Sequence, residues 1–137
     1  MLFRSAVIAL LVIGNAVPAA AQPARRAPST SATPAPDDRA RQWLVLVDDK
    51  NFPQSWKDAG KAFQNRQNAD AWANDANIKR VPLGAVASRD LKSIDLSRNN
   101  VAVIRYDTSF ARKTGAVETV TLSFENNGWA VTNYSVE

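Results

Sequence analysis

The chain has 137 residues, with 17 lysine and arginine residues against 13 aspartate and glutamate residues, for a formal charge of +4 at pH 7. It contains no histidine, no cysteine and no methionine after Met1. These absences exclude Ser-His-Asp and Cys-His nucleophiles, and also zinc or soft copper sites built on imidazole, thiolate or thioether ligands. We expect no metal and no cofactor. Basic and acidic residues are interleaved, so the small positive excess predicts no nucleic-acid partner.

The first 21 residues have the pattern of a secretory signal peptide. Arg4 precedes an apolar run over residues 5–16, and small residues follow at 19–21. The pattern predicts cleavage between Ala21 and Gln22 and export to the periplasm or the medium. The run is shorter than the roughly 20 apolar residues that span a bilayer. We therefore expect no membrane association after cleavage, with a retained anchor as the alternative.

Residues 22–38 form a proline- and alanine-rich leader without large apolar side chains. Such a composition cannot build a core and predicts a disordered segment. The folded part is then residues 39–137, a length that suits one domain. The predicted organisation is a signal peptide at 1–21, a leader at 22–38 and a single domain at 39–137.

Three helices are predicted in the first half of this domain. Asp37 or Asp38 is expected to cap a helix over 39–50, Pro53 suits the first turn of a second helix, and a third helix covers 68–79. Apolar side chains at helical spacing mark the inward faces. They are Ala40, Trp43, Leu44 and Val47 in the first helix, Trp56, Ala59 and Phe63 in the second, and Trp72, Ala76 and Ile78 in the third.

The second half of the domain changes to the alternating pattern of β-strands. Strands are predicted at 85–96, 101–108, 116–124 and 129–136. The sequence Glu125-Asn126-Asn127-Gly128 predicts a tight hairpin, because asparagine and glycine accept positive φ angles. Helices followed by hairpin-linked strands indicate an α+β fold, with N-terminal helices packed on one face of a four-stranded antiparallel sheet.

The domain resembles a family of small exported bacterial proteins labelled domain-of-unknown-function family 4019, from Trp43 to the C-terminus. The resemblance departs at Ala130, where a longer and often basic residue is expected, so no charge-based role is expected there. It implies a curved sheet similar to cystatin-like and nuclear-transport-factor-like folds, which can leave a conical cavity beside the helices, and it implies no reaction. The residues that carry the resemblance are Trp43, Asp48, Ser55-Trp56, Trp72, Pro82-Leu83-Gly84, Arg89, Tyr106-x-Thr108-x-Phe110, Glu118-Thr119-Val120-Thr121, Gly128-Trp129-x-Val131 and Tyr134.

Large aromatic side chains are numerous for so small a domain. Their spacing fits core packing, which buries large apolar areas in the absence of disulfides. The alternative is a pocket between helices and sheet, lined by rings and a few polar groups. The candidate ligand-binding residues are Trp56, Trp72, Tyr106 and Tyr134.

Two carboxylates stand out. Glu118 shares a strand face with Val120, Leu122 and Phe124, which are expected to face the core, and a carboxylate on an apolar face needs a partner. It is either a salt-bridge partner of Arg80, Arg89 or Arg105, or a general acid or base in a cavity. Asp48, at the end of the first helix, opposes the helix dipole, which indicates a solvated or paired carboxylate, or a cation or arginine partner.

The residue types present favour a non-enzymatic module that binds a small molecule or an envelope protein, as a monomer or a weak dimer. One alternative is a cavity enzyme in which Glu118 and a tyrosine perform acid–base chemistry. The other is a structural envelope protein tethered by its leader. A carboxylate that faces an open cavity would favour the enzyme, a cavity or an exposed apolar patch without such a carboxylate the binding module, and a filled interior the structural protein.

Overall fold

Four helices precede four strands in the computed structural model, which describes residues 33–137. The predicted signal peptide, its cleavage site at Ala21 and Gln22, and most of the predicted leader lie outside the described residues. The elements are α1 Pro36–Asp48, α2 Phe52–Asp58, α3 Lys61–Arg66, α4 Ala69–Lys79, a 3-10 turn Val81–Leu83, β1 Val86–Asp95, β2 Val101–Phe110, β3 Lys113–Glu125 and β4 Gly128–Val136.

The strands form one antiparallel sheet in the order β1-β2-β3-β4, with each strand beside its neighbour in sequence. Register shifts interrupt all three strand pairs, and such bulges bend a sheet and increase its twist. The β3–β4 hairpin is as predicted, with positive φ at Asn126 and Asn127. The predicted α+β class, with helices before a curved antiparallel sheet, is therefore confirmed.

Helix α1 begins earlier than predicted. Pro36 lies in its first turn and Ala35 is its N-cap, so the prediction that Asp37 or Asp38 caps a helix beginning at residue 39 is wrong. Proline is well suited to this position, because its missing N–H would have no partner in the first turn anyway. The two aspartates lie in that turn, where they complement the helix dipole.

The predicted second helix is two helices, because the chain becomes extended at Ala59 and Gly60. The Gly60 N–H donates to the carbonyl of Val131 in β4, at 2.8 Å. A Cβ at Gly60 would lie 3.0 Å from the Ala130 Cβ, so a larger residue would require β4 or its side chains to shift. Phe63 therefore belongs to α3. Two side chains predicted to face the core are exposed instead: Ile78 of α4 by 74% and Phe124 of β3 by 38%.

Side chains fill the space between the helices and the sheet. Trp43 of α1 lies at the centre, with the ring centroids of Phe63, Trp72 and Tyr134 at 5.5–5.8 Å from its own. The Trp43 indole N–H donates to the Ser55 carbonyl, at 2.9 Å, which satisfies its one polar group. This aromatic cluster and the aliphatic side chains around it form the hydrophobic core.

Candidate functional site

Glu118 lies on the inner face of β3 and has no exposed surface. Its carboxylate accepts hydrogen bonds from Arg89 Nε at 2.8 Å, Thr108 Oγ1 at 2.7 Å and the Tyr134 hydroxyl at 2.6 Å. Arg89 is one of the three arginines that the sequence offered as partners, so the salt-bridge interpretation is the one the structure shows. The carboxylate is enclosed by its own partners.

Arg89 connects Glu118 to a second carboxylate, Asp48 at the end of α1. Its two terminal nitrogens donate to the two Asp48 oxygens, at 2.8 and 2.9 Å, and Arg80 donates to the same aspartate at 2.7 Å. Negative and positive groups thus alternate along Glu118, Arg89, Asp48 and Arg80, which we call the buried charge network. Burial alone would lower the pKa of Arg89, but its hydrogen bonds to Asp48 and Glu118 raise that pKa above its ordinary value.

Arg80 ends the network at the C-terminus of α4, and only 4% of it is exposed. Its guanidinium donates to the Gly84 carbonyl at 3.1 Å and lies 4.2 Å from the centroid of the Phe110 ring. Among the buried side-chain nitrogen and oxygen atoms of residues 33–137, Arg80 Nε alone has no hydrogen-bond partner. The stacked ring compensates part of that loss, because an aromatic face attracts a guanidinium.

The four aromatic candidates do not line one common pocket. Tyr106 is buried on β2 and donates to Asp37 Oδ1 at 2.6 Å. Trp56 is half-buried and donates to the Gln67 carbonyl at 2.8 Å. Trp72 and Tyr134 both line a small cavity of about 170 Å³ near the C-terminus. The indole of Trp72 donates to Ser55 Oγ at 2.8 Å, so the polar atoms of all four rings have protein partners.

Tyr106 and Tyr134 are the only tyrosines of the chain, and burial raises the pKa of both hydroxyls above the ordinary value of 10.0. The hydrogen bonds to Asp37 and Glu118 add to that increase. As the pH rises past about 10, the unfolded chain loses these protons first. Stability is therefore expected to be intact below pH 10 and to fall above it.

Absorbance at 295 nm, which reports tyrosinate, tests this expectation. The folded protein is expected to show almost none at pH 10.5, and the signal is expected to appear together with the circular-dichroism change of unfolding. In Tyr134→Phe the tyrosinate absorbance of the unfolded protein at high pH is expected to be half that of the wild type, because one of the two tyrosines is removed. Two tyrosines that ionise near pH 10 while the circular dichroism stays native would contradict the burial of their hydroxyls.

A larger cavity of about 350 Å³ opens beside the buried charge network, at the end of α1. We call it the Asp48–Arg112 cavity. Helices α1 and α2, the 3-10 turn, the two residues before β1 and the β2–β3 turn all contribute to it. Its lining residues are Val47, Asp48, Lys50, Phe52, Arg80, Val81, Gly84, Ala85 and Arg112.

Backbone hydrogen bonds hold the cavity wall in place. The N–H groups of Ala111 and Arg112 in the β2–β3 turn donate to the carbonyls of Ala85 and Leu83, at 2.8 and 2.9 Å. Gly84 lies between these two residues with φ +82°, and a Cβ there would lie 3.0 Å from the Ala111 Cβ. Glycine is thus required twice, by its dihedral angle and by the approach of the turn.

Gly84→Ala is expected to lower the free energy of unfolding by about 2 kcal/mol, because φ +82° with ψ −166° is a backbone conformation that is essentially restricted to glycine. Gly115→Ala is the matched control, because Gly115 has φ +69° with nothing within 4 Å of an added Cβ. Urea denaturation should therefore give a smaller loss for Gly115→Ala than for Gly84→Ala. Equal losses would show that Gly84 carries no cost beyond that of its positive φ.

Of the cavity residues, sequence reasoning singled out Asp48, Arg80 and the Pro82-Leu83-Gly84 motif but missed Lys50, Phe52 and Arg112. One indication for Lys50 was present in the sequence: it stands just after the end of α1, at a position that glycine usually occupies. Within residues 33–137 no helix has the length and apolarity needed to cross a membrane. The same residues contain no group of three or more potential acidic, histidine or cysteine metal ligands.

No curated protein matches the sequence. Among solved structures, an NTF2-like protein of unknown function from Cytophaga hutchinsonii is similar, at 15% sequence identity and a TM-score of 0.48, with 79% of this chain and 92% of that chain covered. The family model described as Protein of unknown function (DUF4019) matches residues 39–134. That match covers most of the chain and nearly all of the described residues, and the protein therefore belongs to the DUF4019 family.

Proposed function

We propose that this protein is an exported, non-enzymatic module that binds a small molecule in the Asp48–Arg112 cavity. The observation that carries the proposal is the cavity itself. At about 350 Å³ it lies within the range of roughly 300–1,000 Å³ that ligand pockets occupy. The apolar side chains of Val47, Phe52 and Val81 and a few charged groups line it, which is the usual composition of such pockets.

The arrangement of the carboxylates favours binding over catalysis. A general acid or base must reach the proton that it transfers, but Glu118 has no exposed surface and its oxygens already accept three hydrogen bonds. Asp48 does line the cavity, yet two arginines hold its carboxylate. Asp48 therefore meets the condition that a carboxylate faces a cavity, but both of its oxygens accept from arginines, which favours binding over catalysis.

The cavity also separates the proposal from a purely structural role. Packed aromatic and aliphatic side chains occupy the centre of the space between the helices and the sheet, as a structural protein requires. The Asp48–Arg112 cavity is open to solvent, because Lys50, Ala85 and Arg112 of its lining are exposed, and a ligand-sized opening is what a binding role requires. A binding function accounts for an opening of this size, and a purely structural role does not require one.

Export is proposed on the first 21 residues, whose basic start, apolar run and small-residue site have the order that signal peptidase reads. The full chain should be expressed in a bacterium and recovered from the periplasm. The intact mass is expected to correspond to residues 22–137. Retention of the full-length mass in the cytoplasm would contradict both the cleavage between Ala21 and Gln22 and the export.

Native mass spectrometry of the same material tests the binding function. We expect a retained adduct of small-molecule mass on the wild-type protein. Ala85 is exposed and lines the cavity, so Ala85→Trp should fill it and abolish the adduct. Ala87→Trp is the matched control, because Ala87 is also exposed but is not a lining residue.

The outcomes separate clearly. An adduct on the wild type and on Ala87→Trp, but not on Ala85→Trp, supports the proposal. An adduct that survives in Ala85→Trp would place the binding elsewhere. A wild-type protein without any adduct, which also fails to bind added small molecules in the titrations below, would overturn the proposed function.

A further inference from the structure

The charges around the Asp48–Arg112 cavity do not balance. Lys50, Arg80 and Arg112 contribute three cations to its lining, and Asp48 contributes one carboxylate. That carboxylate is already paired with Arg80 and with Arg89 behind it, and Arg89 is paired in turn with the enclosed Glu118. The buried charge network is therefore neutral in sum, and Lys50 and Arg112 remain as surplus positive charge.

Neither surplus cation has a carboxylate partner in the part of the chain that the structure describes. The ion pairs there involve other basic residues. Lys50 and Arg112 are both exposed and approach the cavity from different elements, the end of α1 and the β2–β3 turn. Two free cations at one opening create a local positive potential that attracts an anion.

The backbone of Lys50 gives a second, independent indication. Lys50 has φ +59°, and the Asn51 N–H donates to the Leu46 carbonyl at 2.8 Å, so the helix ends in the left-handed turn that usually carries glycine. A lysine there is less stable than a glycine. Strain of this kind persists at binding sites, where the side chain has a role.

Apolar side chains form part of the cavity wall, beside the ion pair of Asp48 and Arg80. Val47 and Phe52 are buried side chains of its wall, and Val81 of the 3-10 turn is half-buried beside them. The apolar part of a ligand is removed from water when it contacts these side chains, which favours binding. The charged end of the same ligand can remain between Lys50 and Arg112. The cavity lining therefore matches an amphiphilic molecule, which has one charged end and an apolar body.

We propose that the cavity selects an amphiphilic anion, with an acidic headgroup held by Lys50 and Arg112 and an apolar body against Val47, Phe52 and Val81. This inference rests on the proposed function, since it names the class of ligand that the cavity would take. Carboxylate, sulfonate and phosphate monoester headgroups share the required chemistry. A cationic or a neutral ligand of the same shape is expected to bind more weakly.

Isothermal titration with three probes of one chain length tests the charge preference: sodium octanoate, 1-octanol and octylammonium chloride, each as a monomer in dilute buffer. Octanoate is expected to bind about tenfold more tightly than octanol, which corresponds to about 1.4 kcal/mol. Octylammonium should bind most weakly. Raising the ionic strength should weaken octanoate and leave octanol nearly unchanged.

Substitutions then locate the headgroup. Lys50→Gly and Arg112→Met are each expected to weaken octanoate about fivefold and to change octanol less than twofold. Arg98→Met is the control, because it removes the same charge from an exposed residue that does not line the cavity. Lys50→Gly should also raise Tm by relieving the left-handed backbone, so that a loss of affinity accompanies a gain in stability.

The outcomes distinguish a failure of the anion preference from a failure of the proposed function. Octanol binding as tightly as octanoate, with both blocked in Ala85→Trp, would overturn the anion preference and leave the cavity as a binding site. Octylammonium binding most tightly would overturn it as well. Failure of all three probes to bind, on a wild-type protein that also carries no adduct, would overturn the proposed function together with the anion preference.

Discussion

Glu118→Gln is expected to lower the free energy of unfolding by about 3 kcal/mol, the lower end of the cost of breaking a buried ion pair. Glutamine removes the charge that faces Arg89 and places an amide donor among three other donors, from Arg89, Thr108 and Tyr134. The side chain at position 118 has no exposed surface, so water cannot replace the lost acceptor.

Urea denaturation monitored by tryptophan fluorescence measures this loss. The matched control is Asp107→Asn, because Asp107 forms an ion pair of 3.2 Å with Lys92 on the surface, where both side chains are about half exposed. Removing that pair is expected to cost less than about 1 kcal/mol. A cost for Glu118→Gln as small as that of the control would contradict an enclosed ion pair.

A double-mutant cycle separates the pair from the rest of the buried charge network. Arg89→Met alone leaves the charge of Glu118 buried without its cation, and Glu118→Gln alone leaves Arg89 with Asp48 only. In the double variant both charges of the pair are gone, so its cost should be smaller than the sum of the single costs by at least about 1 kcal/mol. Additive costs would show that the two residues do not act as a pair.

Trp43→Ala is expected to cost about 4–5 kcal/mol, the upper range for removing a buried aromatic side chain. Trp43 has no exposed surface, and its ring touches those of Phe63, Trp72 and Tyr134. The truncation would leave a cavity at the centre of the aromatic cluster. It would also remove the indole N–H that donates to the Ser55 carbonyl. A loss of that size is a large fraction of the stability of a small domain.

Thermal unfolding and urea denaturation of this variant, followed by far-UV circular dichroism, give the size of the effect. Trp43→Phe should cost less, because it keeps an aromatic ring and loses the hydrogen bond. Ile78→Ala is the control on the helical surface, where the side chain is 74% exposed, and should stay within about 0.5 kcal/mol of the wild type. A Trp43→Ala protein as stable as Ile78→Ala would contradict the filled core.

Local pattern was sufficient to predict the strands, the inward face of α1 and the burial of Glu118. The alternation of side chains along β3 places Glu118 on the same face as Val120, and its need for a cation follows from burial alone. The break between α2 and α3 could not be predicted in this way. It depends on a hydrogen bond from Gly60 to Val131 in a distant strand, which no local pattern reports.

The candidate site was less accessible to sequence reasoning, because its charges come together only in the folded chain. Asp48 stood out by opposing a helix dipole, and its two arginine partners come from α4 and β1. In the sequence Arg112 is one of many interleaved basic residues, and nothing local distinguishes it. The β2–β3 turn places it at the cavity only in the folded chain. Burial was predictable for Glu118, but the enclosure that argues against a catalytic role required the positions of all three donors.

The measurement that tests the account most directly is a ¹H–¹⁵N correlation spectrum of the protein titrated with sodium octanoate. We expect the largest amide shifts at the cavity residues of α1, the 3-10 turn and the β2–β3 turn, with Lys50, Gly84 and Arg112 among them. Shifts centred instead on Trp72 and Tyr134, at the smaller cavity, would contradict the assignment of the binding site to the Asp48–Arg112 cavity.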